Sequence, residues 1–171
     1  GVGALYMKKG LSPLPLILGG EQEMGFRAGT VNVPGILGFA KVLKSKETMA
    51  KDYEKVAGLK RLMVESLSSI EGLRVNSLEE YSSAYILSLS IQGMRGEVFL
   101  HALSERGVYV STGSACTAKD TKDSHVLKAL GLQDKDIKGS IRLSFEEETT
   151  KEEVLYAAEA IKETVRFLRR K

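Results

Sequence analysis

Tryptophan is absent from this 171-residue sequence, histidine occurs twice, proline three times and cysteine once. One cysteine cannot close an internal disulfide, so a reducing compartment, the cytoplasm, is the expected setting. With one cysteine and two separated histidines, a self-contained metal site is not expected. Nor can a Ser/His/Asp arrangement be assembled from histidines so placed. No apolar run approaches the roughly 18 residues that span a bilayer. The opening Gly1-Val-Gly-Ala-Leu-Tyr6 has neither a basic leader nor an extended apolar core, so it does not read as a signal peptide. Charge is nearly balanced, with 25 Lys and Arg against 22 Asp and Glu. The surplus is too small to argue for nucleic acid, and no basic cluster is interleaved with aromatics. The basic end, Arg166-Phe-Leu-Arg-Arg-Lys171, suits the C-terminus of a helix.

What is present is ordinary for a soluble domain: 43% apolar and 27% charged residues. The length suits one domain, or one domain and part of another. The chain opens without Met on strand-like residues 2–7 and reads as a cut through something larger. A turn at Lys8-Lys9-Gly10 and a second apolar run at Leu14–Leu18, broken by Pro13 and Pro15, resemble a hairpin that needs a sheet to join. A glycine-rich passage, Gly19 to Thr30, follows. Pro34 to Lys44 carries a helical stripe of Ile36, Leu37, Phe39, Ala40 and Leu43. In Glu47–Ile70, apolar residues recur at steps of three and four from Met49 to Ile70, which predicts a long amphipathic helix.

Beyond Gly72 the period changes. In Tyr85–Ile91, Tyr85, Leu87, Leu89 and Ile91 alternate with Ser88 and Ser90, as in a half-buried strand. Glu97–Arg106 predicts a helix ended by Gly107. Val108–Val110 predicts a short strand, Ser124–Leu130 a short helix stopped by Gly131, and Ile141–Phe145 another strand. A last helix begins at Thr150, with Glu153 three residues on as a capping box. Strands and helices thus alternate from about residue 73, which argues for an α/β sandwich.

Three places carry candidate chemistry. Cys116 lies in Ser111-Thr-Gly-Ser-Ala-Cys116-Thr117, with no Val, Leu or Phe in the four residues that follow. By its surroundings it is either a small core hydrophobe or a mobile, reactive thiol. The polar, glycine-anchored residues 113–123 are expected to be mobile. Arg142 lies mid-strand on the face of Ser140 and Ser144. A guanidinium there either grips a carboxylate bidentately or rests in water on an edge strand. In Gly25-Phe-Arg27-Ala-Gly29-Thr30, glycines permit close approach, Thr30 offers a hydroxyl, and a helix follows, as a phosphate cradle requires. Arg27 serves that phosphate or pairs with Glu21 or Glu23. His101 shares a charged helix face with Glu97 and Glu105, and His125 opens a helix. Neither histidine builds a site.

Five motifs occur in order: Gly19-Gly-Glu-Gln-Glu-Met-Gly-Phe-Arg-Ala-Gly-Thr30, Asn32-Val-Pro-Gly35, Ser111-Thr-Gly-Ser-Ala-Cys-Thr117, Ser124-His-Val-Leu-Lys-Ala-Leu-Gly131 and Ser140-Ile-Arg-Leu-Ser144. In these the chain resembles, over essentially its whole length, the C-terminal part of pyridoxal-phosphate-dependent cysteine desulfurases. These are the iron–sulfur assembly type within the class V aminotransferase family. The resemblance implies the small C-terminal α/β domain of a fold-type I enzyme at residues 73–171. A connecting helix at 47–72 and a remnant of the large cofactor-binding domain at 1–46 would precede it. It implies that Cys116 takes sulfur from L-cysteine as a persulfide, leaving alanine, and passes it to a sulfur-acceptor or scaffold protein. Arg142 would bind the substrate carboxylate. Thr30, in one turn with Arg27 and Gly29, would reach the cofactor phosphate of the neighbouring subunit, hence a homodimer.

The family's cofactor-bearing lysine lies in a Ser-x-His-Lys context that no lysine here matches. The resemblance puts that lysine, a ring-stacking histidine and a pyridine-pairing aspartate upstream of residue 1. The chain is therefore expected to be a piece inactive by itself. Glu21 also departs from the glycine run, and Phe145-Glu-Glu-Glu148 replaces a frequent Gly-Arg. Other readings are a non-catalytic persulfide relay or scaffold-docking module and, within the family, a selenocysteine lyase, a sulfinate desulfinase or another class V aminotransferase. Transient iron–sulfur ligation by Cys116 is a further possibility.

Overall fold

The structure is a computed structural model that describes residues 1–45, 49–78, 80–112 and 124–170. It divides the chain into two compact units, Gly1–Met49 and Ala50–Lys171.

The first unit holds a short helical turn at Gln22–Gly25 and one long helix, α1 (Val33–Ser45). Residues 1–31 contain no strand. The hairpin expected at 2–7 and 14–18 is therefore corrected to irregular chain, with a turn closed by the Leu11 amide donating to Lys8 O at 3.2 Å. The physical reason is that a strand's amides and carbonyls need an edge to pair with, and no described strand offers one here. Nor does the unit build a core. Ala28 is its buried apolar residue, while Leu14, Leu16 and Tyr6 are 92%, 99% and 91% exposed.

The second unit is built on an antiparallel sheet of β1 (Leu73–Val75), β2 (Ile86–Ile91), β3 (Ser111–Thr112) and β4 (Ser140–Ser144) in the order β1-β2-β4-β3. Period-two alternation puts Leu87, Leu89 and Ile91 of β2 on one face with Ile141 and Leu143 of β4. That face joins a single core with three helices. The amphipathic α2 (Met49–Leu67) contributes Val56, Leu59, Met63 and Leu67. From α3 (Gly96–Ser104) come Phe99 and Leu103, and from α6 (Lys151–Arg169) come Val154, Ala158, Ile161 and Val165. The expected capping box starts α6: the Glu153 amide donates to Thr150 Oγ1 at 3.2 Å and the Thr150 amide to Glu153 Oε2 at 2.8 Å. Gly107, at φ 72°, follows the end of α3.

Two elements escaped the sequence reading: β1 and α5 (Asp134–Lys138). With α4 (His125–Ala129), α5 forms a satellite cluster of Leu127, Leu132 and Ile137. It is tied to the sheet by Arg74 Nη1 donating to Asp136 Oδ2 at 3.2 Å and by the Ile91 amide donating to Gly139 O at 3.1 Å. The strand expected at 108–110 is corrected as well. Among the described residues pairing begins later, at Ser111. Among the described residues no helix is long and apolar enough to cross a membrane.

Candidate functional site

The Gly19–Thr30 passage is a tight, self-bonded turn. Glu23 and Met24 adopt left-handed backbone at φ 52° and 56°, followed by Gly25 at 80°. Two successive non-glycine residues there are a rare and costly arrangement. The turn is held by the Gly25 amide on Glu21 O at 3.2 Å and the Gly29 amide on Gln22 Oε1 at 3.1 Å. Gly29 itself is left-handed, at φ 109°. Arg27 Nη1 donates to Ala28 O at 2.9 Å, so the expected pairing with Glu21 or Glu23 is not made. Asn32 Oδ1 accepts from the Gly35 amide at 3.1 Å, which caps the start of α1. Arg27 and Thr30 are both exposed. A guanidinium and a hydroxyl three residues apart, next to a helix N-terminus, are a donor set that fits a phosphate.

Arg142 lies on β4, which is flanked by β2 on one side and β3 on the other. The edge-strand alternative for this residue is thereby excluded. Its side chain is exposed on the face opposite the core, and among the described residues nothing pairs with it. Ser88 of β2 and Ser111 of β3 lie directly opposite it on the two neighbouring strands. Ser88 is fixed from behind: Asn76 Nδ2 donates to Ser88 Oγ at 3.2 Å and to Ser90 Oγ at 2.8 Å. Sequence reasoning set Ser88 and Ser90 on the polar face by alternation. It could not find Asn76 or the register, because both depend on which strands pair. The other arginine known on that face, Arg74, is engaged by Asp136.

Cys116 and the expected mobile loop at 113–123 lie outside the described residues. The flanks of that segment are defined. On one side Thr112 pairs with Ile141, the neighbour of Arg142. On the other, Ser124 caps α4, its Oγ accepting from the Leu127 amide at 3.4 Å. His101 and His125 are exposed. A separate cavity of about 520 Å³ opens beyond the C-terminal end of β4, between Leu143, Glu146, Glu152, Tyr109 and Tyr156. Arg142 is not in its lining.

With this geometry in place, comparison with known proteins decides the family. The aminotransferase class-V family matches residues 1–156. The chain belongs to that family. Among curated relatives, this class-V chain is 37% identical over 155 residues to cysteine desulfurase 2 of Trichormus variabilis, covering 90% of the chain and 39% of the relative. It is 36% identical to cysteine desulfurase IscS of Methanosarcina thermophila, covering 99% and 42%. It is 39% identical to the putative cysteine desulfurase IscS 1 of Bacillus subtilis, covering 98% and 45%. A solved structure of a NifS-like protein superposes with TM-score 0.80 at 35% identity, covering 95% of the class-V chain and 41% of that protein. The α/β architecture expected from sequence is thus that of NifS-like enzymes. The chain spans about two fifths of the length of these relatives.

Proposed function

We propose that this chain supplies the carboxylate-binding and sulfur-accepting parts of a pyridoxal-phosphate-dependent cysteine desulfurase. The observation that carries this reading is Arg142: an exposed guanidinium, unpaired among the described residues, on an interior strand, in a chain whose relatives are named cysteine desulfurases. An unpaired arginine held by a sheet has its direction preset, which suits bidentate capture of the substrate's α-carboxylate.

Thr30 and Arg27, in the turn that Gly29 allows, hold the cofactor phosphate. Thr30 does so for the neighbouring subunit, so the working form is a homodimer. When bound, pyridoxal phosphate supplies the electron sink that weakens the substrate's C–S bond. Cys116, as thiolate, accepts the sulfur. One C–S bond breaks, one S–S bond forms, and the substrate carbon gains a proton, so cysteine plus thiol become alanine plus persulfide. In sequence Cys116 follows by four residues Thr112, which pairs with the neighbour of Arg142. The persulfide then passes to a sulfur acceptor or an iron–sulfur scaffold protein, in the cytoplasm. Residues 1–46 belong to the large cofactor-binding domain, 47–72 connect, and 73–171 form the small domain.

The test uses the full-length protein that contains these residues. L-cysteine should yield alanine and a persulfide on Cys116 in equal amounts. Cys116→Ser should abolish the persulfide. Arg142→Gln should raise KM for cysteine about thirtyfold through loss of charge-assisted bonds. Residues 1–171 alone should form no alanine. Undiminished persulfide in Cys116→Ser, or an unchanged KM in Arg142→Gln, would sink the reading.

A further inference from the structure

We propose that Ser88 and Ser111 complete the Arg142 site, so that a carboxylate is held by one guanidinium and two flanking hydroxyls. This rests on the reading of Arg142 as a carboxylate clamp and adds the residues that make it a pocket for that group. The register puts Ser88 opposite Arg142 on β2 and Ser111 opposite it on β3, all three on the outer face. Directly opposed residues have Cβ atoms about 4.5–5.5 Å apart. Ser88, Arg142 and Ser111 therefore stand side by side across three strands. An ionised carboxylate has about four lone-pair sites, of which a bidentate guanidinium takes two. The remaining two are open to hydroxyl donors such as the two serines.

The bond from Asn76 makes Ser88 more than a polar neighbour. Ser88 Oγ accepts from Asn76 Nδ2 at 3.2 Å, and Asn76, 9% exposed, is locked in turn on the fully buried Ser90. With its oxygen already accepting, Ser88 keeps its own proton to give, and polarisation along the chain of bonds strengthens that donation. Ser88 and Ser111 are each half-buried, so their hydroxyls are partly shielded from competing water. Ser140, which shares the face, is buried at 3% exposure and takes no part.

The probe is sodium acetate, titrated at constant ionic strength into the 171-residue chain while the side-chain Nε–H resonance of Arg142 is followed by NMR. A saturable shift is expected, which Arg142→Gln abolishes. Ser88→Ala and Ser111→Ala should each weaken acetate binding about three- to tenfold, as loss of a hydrogen bond to a charged group predicts. Ser88→Thr, which keeps the hydroxyl, should restore it. Backbone amide spectra of the alanine variants verify that the sheet is intact. If both alanine variants bind acetate as tightly as the unaltered chain, the serines are no part of the site, although Arg142 remains one. Absence of a saturable acetate shift in the unaltered chain removes the clamp itself. Sulfate bound in preference to acetate would show a tetrahedral oxyanion site and overturn the carboxylate assignment.

Discussion

Gly139 shows how one hydrogen on an α-carbon can set the spacing of two elements. Its backbone is unremarkable, at φ −95°, so conformational freedom is not what demands glycine. A Cβ built there would lie 2.3 Å from Ile91 O, on the strand to which Gly139 O is itself hydrogen-bonded. Backbone cannot swing aside as a flexible side chain can. Gly139→Ala should therefore push the α5–β4 junction off β2 and cost about 2 kcal/mol, the usual scale of overpacking. A urea titration followed by circular dichroism measures it, and an unchanged midpoint would mean that the junction yields freely. None of this was legible in the sequence, where Lys138-Gly-Ser140 reads as a plain break before a strand. Arg142 was half legible. Alternation gave its face, but its place between two strands depends on β3, described at Ser111–Thr112, and on which strands pair, which no period shows.

At the scale of elements, legibility followed length. α2 and α6, each 19 residues, hold several turns of apolar stripe: the helix expected over 47–70 is Met49–Leu67, and the expected cap at Thr150 starts α6. α5 has five residues, Asp-Lys-Asp-Ile-Lys, with a single apolar position, so periodicity had nothing to act on. What holds it is chemistry between elements distant in sequence: the Asp136 side chain, 5% exposed, beside Arg74, 48% exposed. A buried carboxylate left without its cation is costly, whereas the pair itself is worth little over an apolar replacement. Arg74→Met should destabilise the domain by roughly 2 kcal/mol, less than for a fully buried pair because water reaches the arginine. Adding Asp136→Leu to that variant should recover most of the loss. Both are read from urea midpoints as a double-mutant cycle. If the single and double variants lose equally, the ion pair does not tether α5. The hairpin expected at 2–7 and 14–18 failed for a different reason. Its apolar pattern was real, but pattern only makes a strand where an edge is available to receive it.

Across the whole molecule, burial is distributed very unevenly. Residues 50–171 close a main core over one face of a sheet, with Leu67, Leu87, Leu89, Ile91 and Leu103 fully buried. In residues 1–43, Leu5, Leu14, Leu16 and Leu18 are 79%, 92%, 99% and 80% exposed. Apolar surface on that scale is the mark of a surface made to be covered. The energetics of the two units should therefore be separable. A chain cut to residues 49–171 should unfold cooperatively with an unfolding free energy, read by urea titration, within about 0.5 kcal/mol of the full chain's, since no described core residue of the sheet is lost with the cut. The full chain should bind a hydrophobic dye and self-associate with rising concentration, and the shortened chain should do neither. Sedimentation velocity and dye fluorescence on the two proteins decide the matter. An unfolding free energy that falls by more than about 1 kcal/mol on truncation would show that residues 1–48 stabilise the sheet domain, and the exposed leucines would then need another explanation than an uncovered face.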